Sequence, residues 1–292
     1  MNYEKAIANI RKELKDYLLK CNLQSLVIGI SGGIDSCLCA ALAYPVCDEL
    51  NIPLIGRSLP TSTNAPDEIE RARLTGKVFC NFFDEVNLAK YFENLSDLNT
   101  DPALSYITDL SIVIPEKDDD KSFKIRNGNI KARLRMIYLY NLASKNRGIV
   151  LSTDNYTEYL LGFWTLHGDV GDYGMIQNLW KTEVYEMSQW MVENDCKFLD
   201  EQTALQLTIN AMATDGLGVS NLGDLGQIMP DWTGTSRDGY KEVDRILQLI
   251  EKLSYKNPHH ELDNHPVIQR HIKSEFKRHN PTNISRNLII KE

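Results

Sequence analysis

The chain has 292 residues, of which 42% are hydrophobic and 25% are charged, and its formal net charge is −8. This length allows one large domain or two small ones, and the acidic balance argues against a protein whose overall field attracts DNA or RNA. The apolar runs are far shorter than the roughly 20 residues that span a bilayer. The N-terminal residues also lack the apolar core of a signal peptide, so we expect a cytoplasmic protein.

The predicted elements alternate between strands and helices after an N-terminal amphipathic helix. Strands rich in β-branched or apolar residues are predicted at 25–30, 52–59, 82–86 and 148–152. Helices are predicted at 35–50, 66–79 and 128–145, the second with Pro66 in its first turn. Because this alternation implies parallel pairing, we expect an α/β fold with a parallel sheet flanked by helices on both faces.

Two long stretches lack a regular apolar period. Residues 96–128 are predicted to be a loop, and their charged segment PEKDDDKS is typical of a solvated turn. Residues 214–239 are polar and contain glycine, and a loop this long is often a lid or a binding loop. We therefore predict that it is mobile without ATP. Helices around 241–253 and 264–278 are expected to close the chain.

The six cysteines are scattered, and no pair has zinc-ligand spacing with suitable partners. We therefore expect buried, reduced thiols. The C-terminal residues 271–292 are locally basic. In an acidic protein, a basic tail favours a small anionic ligand over a nucleic acid.

The segment GISGGIDS, residues 29–36, joins the first strand to the next helix. Such a junction places backbone N–H groups and a helix N-terminus around an anion, and glycine lets a phosphate approach closely. The segment lacks the lysine of a Walker A loop and does not follow G-x-G-x-x-G. Its acid, Asp35, suits a phosphate site if a divalent cation lies between them. On glycine content alone, a tight turn with an N-capping side chain is an equally good interpretation.

The order S-G-G-x-D-S after an apolar strand resembles the pyrophosphate loop of the N-type ATP pyrophosphatases. In these enzymes the loop holds the leaving pyrophosphate of ATP while a substrate oxygen attacks the α-phosphorus. Four further blocks, at 128–140, 150–173, 180–190 and 274–278, resemble successive segments of one member family. The resemblance runs from about Ser25 to Arg286, and the chain is identified as a member of the NH3-dependent NAD synthetases, with their adenine nucleotide alpha-hydrolase-like, Rossmann-like fold.

The resemblance implies a role for each matching residue. ATP is bound by the glycine loop and by residues that reach it from elsewhere, namely Gly29, Ser31, Gly32, Gly33, Asp35, Ser36, Thr153, Lys181 and Thr214. Deamido-NAD is contacted by Asn129, Arg133, Asp169, Asp172 and Lys277. Asp35 and Glu158 hold Mg2+, the implied cofactor, and ATP is the co-substrate. The resemblance also implies a homodimer that binds the dinucleotide near the subunit interface.

Several of these residues also have ordinary structural interpretations. Glu158 fits the capping box of a helix that follows the STDN segment, and the two aspartates of GDVGD are suited to a turn. Lys181 opens an amphipathic helix and is compatible with a solvated position, although the helix dipole disfavours a cation there. Arg133 and Arg135 flank Leu134 on a helix, so one of them is compatible with an ordinary surface position.

The implied reaction is the amidation of deamido-NAD to NAD. ATP adenylates the nicotinate carboxylate, and ammonia then displaces AMP. Glutamine-using enzymes carry a separate glutaminase domain of about 250 residues, whereas here the synthetase blocks begin by residue 25 and residue 2 is Asn rather than a nucleophilic Cys. We therefore expect a single synthetase domain over 1–292 and ammonia as the nitrogen donor.

Two alternatives remain open at this point. Another ATP pyrophosphatase, such as a tRNA-modifying enzyme or a different amidating ligase, would adenylate another acceptor; a tRNA enzyme should show a basic face and paired cysteines, and this chain has neither. A nucleotide sensor on the same fold should have damaged metal ligands, yet Asp35 and Glu158 are both present. We expect small-molecule substrates and neither a nucleic-acid nor a membrane partner.

The chain departs from the family pattern at two substrate positions. Many NAD synthetases read T-K-Y-G-D where this chain reads TLHGD, so Leu166 replaces a lysine. In the tail, the usual His-Lys pair is Phe276-Lys277. We predict that deamido-NAD is held differently, with Lys277 and either Arg278 or His167 compensating. The alternative is drift at a solvated rim.

Overall fold

The computed structural model describes residues 1–96, 120–214, 223–253, 264–281 and 283–286. Within these ranges, five parallel strands form one sheet in the order β3-β2-β1-β4-β5. The strands are β1 Ser25–Gly29, β2 Leu54–Ser58, β3 Phe82–Glu85, β4 Gly148–Ser152 and β5 Tyr173–Gly174. The parallel sheet predicted from the alternating elements is therefore confirmed.

Helices cover both faces of this sheet. The helices are α1 Tyr3–Lys20, α2 Ile34–Leu50, α3 Pro66–Phe79, α4 Ala89–Ser96, α5 Asp120–Lys145, α6 Tyr156–Leu161, α7 Lys181–Asn194, α8 Leu199–Ile209, α9 Leu225–Ile228, α10 Ser236–Leu253, α11 Pro266–Lys273 and α12 Glu275–Arg278. α2 packs between the sheet and α1, α3, α7 and α8. This surrounds it with protein, which explains its lack of a polar stripe. α5 packs on the opposite face, against β1 and β4.

The strand order creates a crevice at the centre of the sheet. From β1 the chain winds outward to β2 and β3, and it then returns to place β4 on the other side of β1. The connections that follow β1 and β4 therefore lead to strands on opposite sides of this pair, β2 and β5. Ligands of open α/β sheets bind at such a switch point. The segments GISGGIDS and STDN meet here, as their positions at strand ends predicted.

Some element boundaries differ from the sequence prediction. The predicted loop 96–128 is wrong at its end, because α5 already begins at Asp120; its first turns are polar and carry no apolar stripe that would reveal them. The remaining residues of that loop, 97–119, lie outside the described residues. The helix predicted over 264–278 divides at Ser274 into α11 and α12.

The predicted lid loop, 214–239, is only partly described. Residues 215–222 lie outside the described residues. The rest contains the short helix α9 and the first turn of α10, which starts at Ser236 rather than near 241. Its mobility stays a prediction. Across the described part of the chain, no helix is long and apolar enough to cross a membrane.

The environments of the cysteines predict a selective labelling pattern. All six are free, three are buried, two are half-buried and Cys21 is exposed. Burial raises the pKa of Cys37 to about 11 and those of Cys47, Cys80 and Cys196 to about 12, and it raises the pKa of Cys39 well above its usual value. Because the thiolate is the reactive form, iodoacetamide at pH 8 is expected to label Cys21 alone, as read by peptide mass spectrometry. Labelling in urea should reach all six, and prompt native labelling of Cys47 would contradict the buried placement.

Candidate active site

The glycine loop after β1 is held in shape by its own side chains and by α3. Gly32 has φ +85°, and a Cβ there would lie 2.1 Å from the carbonyl oxygen of Glu68, so only glycine fits. Arg71 Nε donates to the Gly32 carbonyl oxygen at 3.0 Å. Ser36 Oγ donates to the Gly33 carbonyl oxygen at 3.1 Å and accepts from the Ser31 amide at 3.3 Å. The loop is thus built to present its amides and the N-terminus of α2 to an anion.

A buried ion-pair cluster lies beside this loop. The Lys181 side chain is only 2% exposed, and its Nζ donates to Asp35 Oδ2 and, at 2.9 Å, to Glu158 Oε1. Asn155 Nδ2 donates to Asp35 Oδ1 at 2.9 Å. The three charged groups come from the starts of α2, α6 and α7, so the fold joins residues far apart in sequence at one point.

The electrostatics of the cluster favour an additional cation. Burial raises the pKa of Glu158 to about 7, Asp35 adds to this, and Lys181 opposes it. Burial by itself would lower the pKa of Lys181, but the two carboxylates together raise it well above its usual value. Burial also raises the pKa of nearby Asp154, with the charges of Asp169 and Glu158 acting in the same direction. The lysine therefore balances only part of the acidic charge.

The donor set fits a magnesium ion in part. Asp35 and Glu158 present hard carboxylate oxygens, which Mg2+ prefers, and Mg2+ usually takes only one or two carboxylates and completes its shell with substrate phosphates and water. Within the described ranges, no group of three or more His, Cys, Asp or Glu side chains is arranged to hold a metal by itself. A metal here would therefore need ligands from a bound substrate.

Most of the predicted site residues line one cavity at this crevice. These are Gly29, Ser31, Gly32, Gly33, Asp35, Thr153, Glu158, Asp169, Lys181 and Thr214. Ser36 is buried just behind the loop. The cavity thus unites the residues assigned to ATP and to the metal, although their individual roles stay predictions.

Four residues assigned to deamido-NAD do not line this cavity and bond to the protein. Asn129 Oδ1 accepts from Thr165 Oγ1 at 2.7 Å, and Asp172 Oδ2 accepts from the Val150 amide at 2.9 Å. The exposed Arg133 donates through Nε to the Leu166 carbonyl oxygen at 3.3 Å. Lys277 Nζ donates to the carbonyl oxygens of Gly162, at 2.7 Å, and Trp164. Burial lowers the pKa of Lys277 to about 8.

The structure supports the ordinary structural interpretations of Glu158 and Asp169 but not that of Lys181. Glu158 does form a capping box, because its amide donates to Asn155 Oδ1 at 3.0 Å and its Oε2 accepts from the Asn155 amide at 3.4 Å. Its other oxygen still reaches Lys181, so one side chain serves both purposes. The solvated position considered for Lys181 is wrong, since that side chain is buried. Asp169 binds its own turn through the Thr165 amide at 2.6 Å and also lines the cavity.

Sequence reasoning missed several residues that line the cavity. Arg135 enters it, donating to the Leu59 carbonyl oxygen at 3.0 Å and to Asn64 Oδ1 at 3.1 Å. Its helical spacing from Ala132 and Leu139, which also line the cavity, was the available signal. Arg57 and Arg71 were missed as well, because they lie in β2 and α3 outside the motifs that resemble the family.

A second cavity adjoins the first. It is lined by Trp164, His167, Lys277, Arg278 and Asn280, among others. The two cavities share Met136, Tyr140, Asp154 and Val170 in their walls. The second cavity therefore offers an aromatic ring and cationic side chains next to the cavity that the glycine loop lines.

Comparison with known proteins identifies the family. The sequence model described as NAD synthase matches residues 6–196. This chain belongs to the NAD synthase family. The NH(3)-dependent NAD(+) synthetase of Finegoldia magna is 35% identical over 190 residues, which cover 65% of this chain and 69% of the relative. The enzyme of the same name from Helicobacter pylori is 27% identical, with 96% of each chain covered.

The fold of the family is confirmed by solved structures. The NMN synthetase from Francisella tularensis matches with a TM-score of 0.70 and 21% identity, covering 98% of this chain and 99% of that one. At this identity the match speaks for the fold alone. Membership in the NAD synthase family confirms the resemblance seen in the motifs, and with it a ligase that uses ATP as co-substrate.

Proposed function

We propose that this chain amidates the nicotinate carboxylate of deamido-NAD with ammonia, consuming ATP and releasing AMP and pyrophosphate. The observation that carries the proposal is the cluster of Asp35, Glu158 and Lys181 beside the glycine loop, in a member of the NAD synthase family. The backbone amides of the glycine loop and the side-chain ammonium of Lys181 suit an anionic leaving group. The two carboxylates suit the cation that accompanies ATP.

The chemistry explains why such a cluster is needed. A carboxylate is a poor acylating agent, and adenylation converts it to a mixed anhydride whose leaving group is AMP. The loop from Ser31 to Ser36 would hold the departing pyrophosphate, and Lys181 would neutralise charge that develops on it. Mg2+ held by Asp35 and Glu158 would polarise the phosphate oxygens. Fixing the carboxylate against the α-phosphorus would supply much of the remaining rate.

A second acceptor is favoured by one observation. Arg133 and Lys277, the cations assigned to the dinucleotide, donate to main-chain carbonyl oxygens, and Leu166 stands where many NAD synthetases have a lysine. This leaves fewer cations for the second phosphate of a dinucleotide. Nicotinate mononucleotide carries the same carboxylate but a single phosphate, so it needs fewer cations, and Trp164 in the second cavity would offer its ring an aromatic contact.

The two acceptors predict different outcomes in one assay. The full chain is incubated with ATP, Mg2+ and ammonium plus either acceptor, and AMP and the amide product are measured by mass spectrometry. We expect kcat/KM for deamido-NAD to exceed that for the mononucleotide by about tenfold or more, because the mononucleotide lacks the AMP half of the dinucleotide, and even a single charge-assisted contact to that half is worth about 1.5–3 kcal/mol. A preference for the mononucleotide would show that it, rather than deamido-NAD, is the acceptor. If neither acceptor supports AMP formation, the proposed reaction is wrong.

The remaining features of the function are also proposals. Ammonia as donor is supported by the NH(3)-dependent relatives, and glutamine in place of ammonium should then give no amide. A single synthetase domain, a homodimer and a cytoplasmic location stay predictions, and light scattering of the purified protein would test the dimer.

A further inference from the structure

The helix that carries Glu158 is too short to hold its own position. α6 has six residues and ends at Leu161, and the next residue, Gly162, has φ +62°. Helices this short are unstable in isolation, so the place of Glu158 depends on tertiary contacts. At the N-terminal end these include Thr157 Oγ1, which donates to Asp244 Oδ1 of α10 at 2.6 Å.

The C-terminal end of α6 is held by cations of α11 and α12. The last carbonyls of a helix have no partner within the helix, and cations near them are favourable. Arg270 donates through Nε to the Leu161 carbonyl oxygen at 2.8 Å and through Nη2 to that of Gly162 at 3.3 Å. Arg278 Nη1 donates to the Leu160 carbonyl oxygen at 2.7 Å.

Close packing fixes the same junction. A Cβ on Gly162 would lie 2.4 Å from the Cβ of Ser274 in the turn between α11 and α12. The guanidinium of Arg270 also lies 4.7 Å from the centre of the Phe163 ring. The two carbonyl bonds and the ring contact together restrict both rotation and sliding of α6.

We propose that Arg270 is a positioning residue, which acts through α6 to hold Glu158 beside Asp35, where the two carboxylates would bind the divalent cation. Unlike Lys277 and Arg278, Arg270 lines neither of the two cavities described above, so we expect it to influence the site through its contacts with the end of α6 and with Phe163. The inference rests on the proposed function, since the cation is the one that accompanies ATP.

The test measures metal binding without turnover. Mn2+ affinity is determined by electron paramagnetic resonance for the full chain with a non-hydrolysable ATP analogue. Arg270→Gln should weaken Mn2+ binding about fivefold or more, the equivalent of losing one favourable helix-end cation. Arg270→Lys, which keeps the charge but not both carbonyl bonds, should lie between. Lys273→Gln, on the exposed face of the same helix, is the matched control and should leave Mn2+ affinity unchanged.

Three outcomes separate the inference from the proposed function. Unchanged Mn2+ affinity in Arg270→Gln, with only a lower melting temperature, would overturn the positioning role. Mn2+ binding that also survives Asp35→Asn would show instead that the proposed metal site is wrong. If Arg270→Gln does not fold, Arg270→Lys decides, and an affinity equal to the wild type would overturn the inference.

Discussion

Replacing Asp35 by Asn is expected to slow AMP formation by about 10²-fold or more in a chain that still folds. Asp35 accepts from two donors, Asn155 Nδ2 and Lys181 Nζ. An asparagine offers one acceptor oxygen and two N–H donors, so it cannot satisfy both partners or bind a divalent cation as a carboxylate does. The path of the loop depends on its glycines and serines rather than on this carboxylate.

A matched variant separates this effect from a general loss of charge in α2. Asp48→Asn removes an exposed carboxylate from the same helix and should keep wild-type activity. AMP formation is measured at saturating ATP and over a range of Mg2+ concentrations, with circular dichroism to check folding. Wild-type activity of Asp35→Asn at ordinary Mg2+ would contradict its assignment as a metal ligand.

Replacing Lys181 by Met is expected to abolish AMP formation and yet to strengthen divalent cation binding in the absence of ATP. The ammonium lies between the two carboxylates assigned to the metal, so it occupies the space that a free cation would need. Its removal leaves two half-buried carboxylates without their cation, and breaking a fully buried pair typically costs about 3–5 kcal/mol, which sets the upper limit of the destabilisation here. A divalent cation that binds the folded state should restore part of that stability.

Melting temperatures with and without Mg2+ test this expectation directly. Mg2+ should raise the melting temperature of Lys181→Met clearly and that of the wild type very little. Lys241→Met, which removes an exposed ammonium paired with Asp238, should respond as the wild type does. An equal Mg2+ response in Lys181→Met and the wild type would show that the lysine does not compete with the metal.

Much of the site was accessible from the sequence because its residues lie in short, ordered motifs. The glycine loop, Glu158 in its capping box and Lys181 at a helix start each stand at the end of a strand or the beginning of a helix, where local pattern is informative. Arg135 was ambiguous with Arg133, since both flank Leu134 and only the packing of α5 against β1 and β4 decides which one faces the cavity.

No motif could predict which protein groups the cations assigned to the substrate would bind. Lys277 matches the family pattern, yet its ammonium donates to Gly162 and Trp164, a contact that joins α12 to the end of α6 across more than a hundred residues. A sequence shows which donor is present but not which carbonyl oxygen accepts its hydrogen bond in the folded chain.

The sequence by itself determined the parallel α/β sheet, the position of the glycine loop and the family of this protein, because alternating periodicity and motif spacing are local properties of the chain. Only the tertiary structure decided that Lys181 lies between Asp35 and Glu158, that Arg135 rather than Arg133 enters the cavity, and that α11 and α12 hold the helix of Glu158. These arrangements arise from long-range packing at the switch point of the sheet, where the burial of several charges at once makes each position depend on all the others.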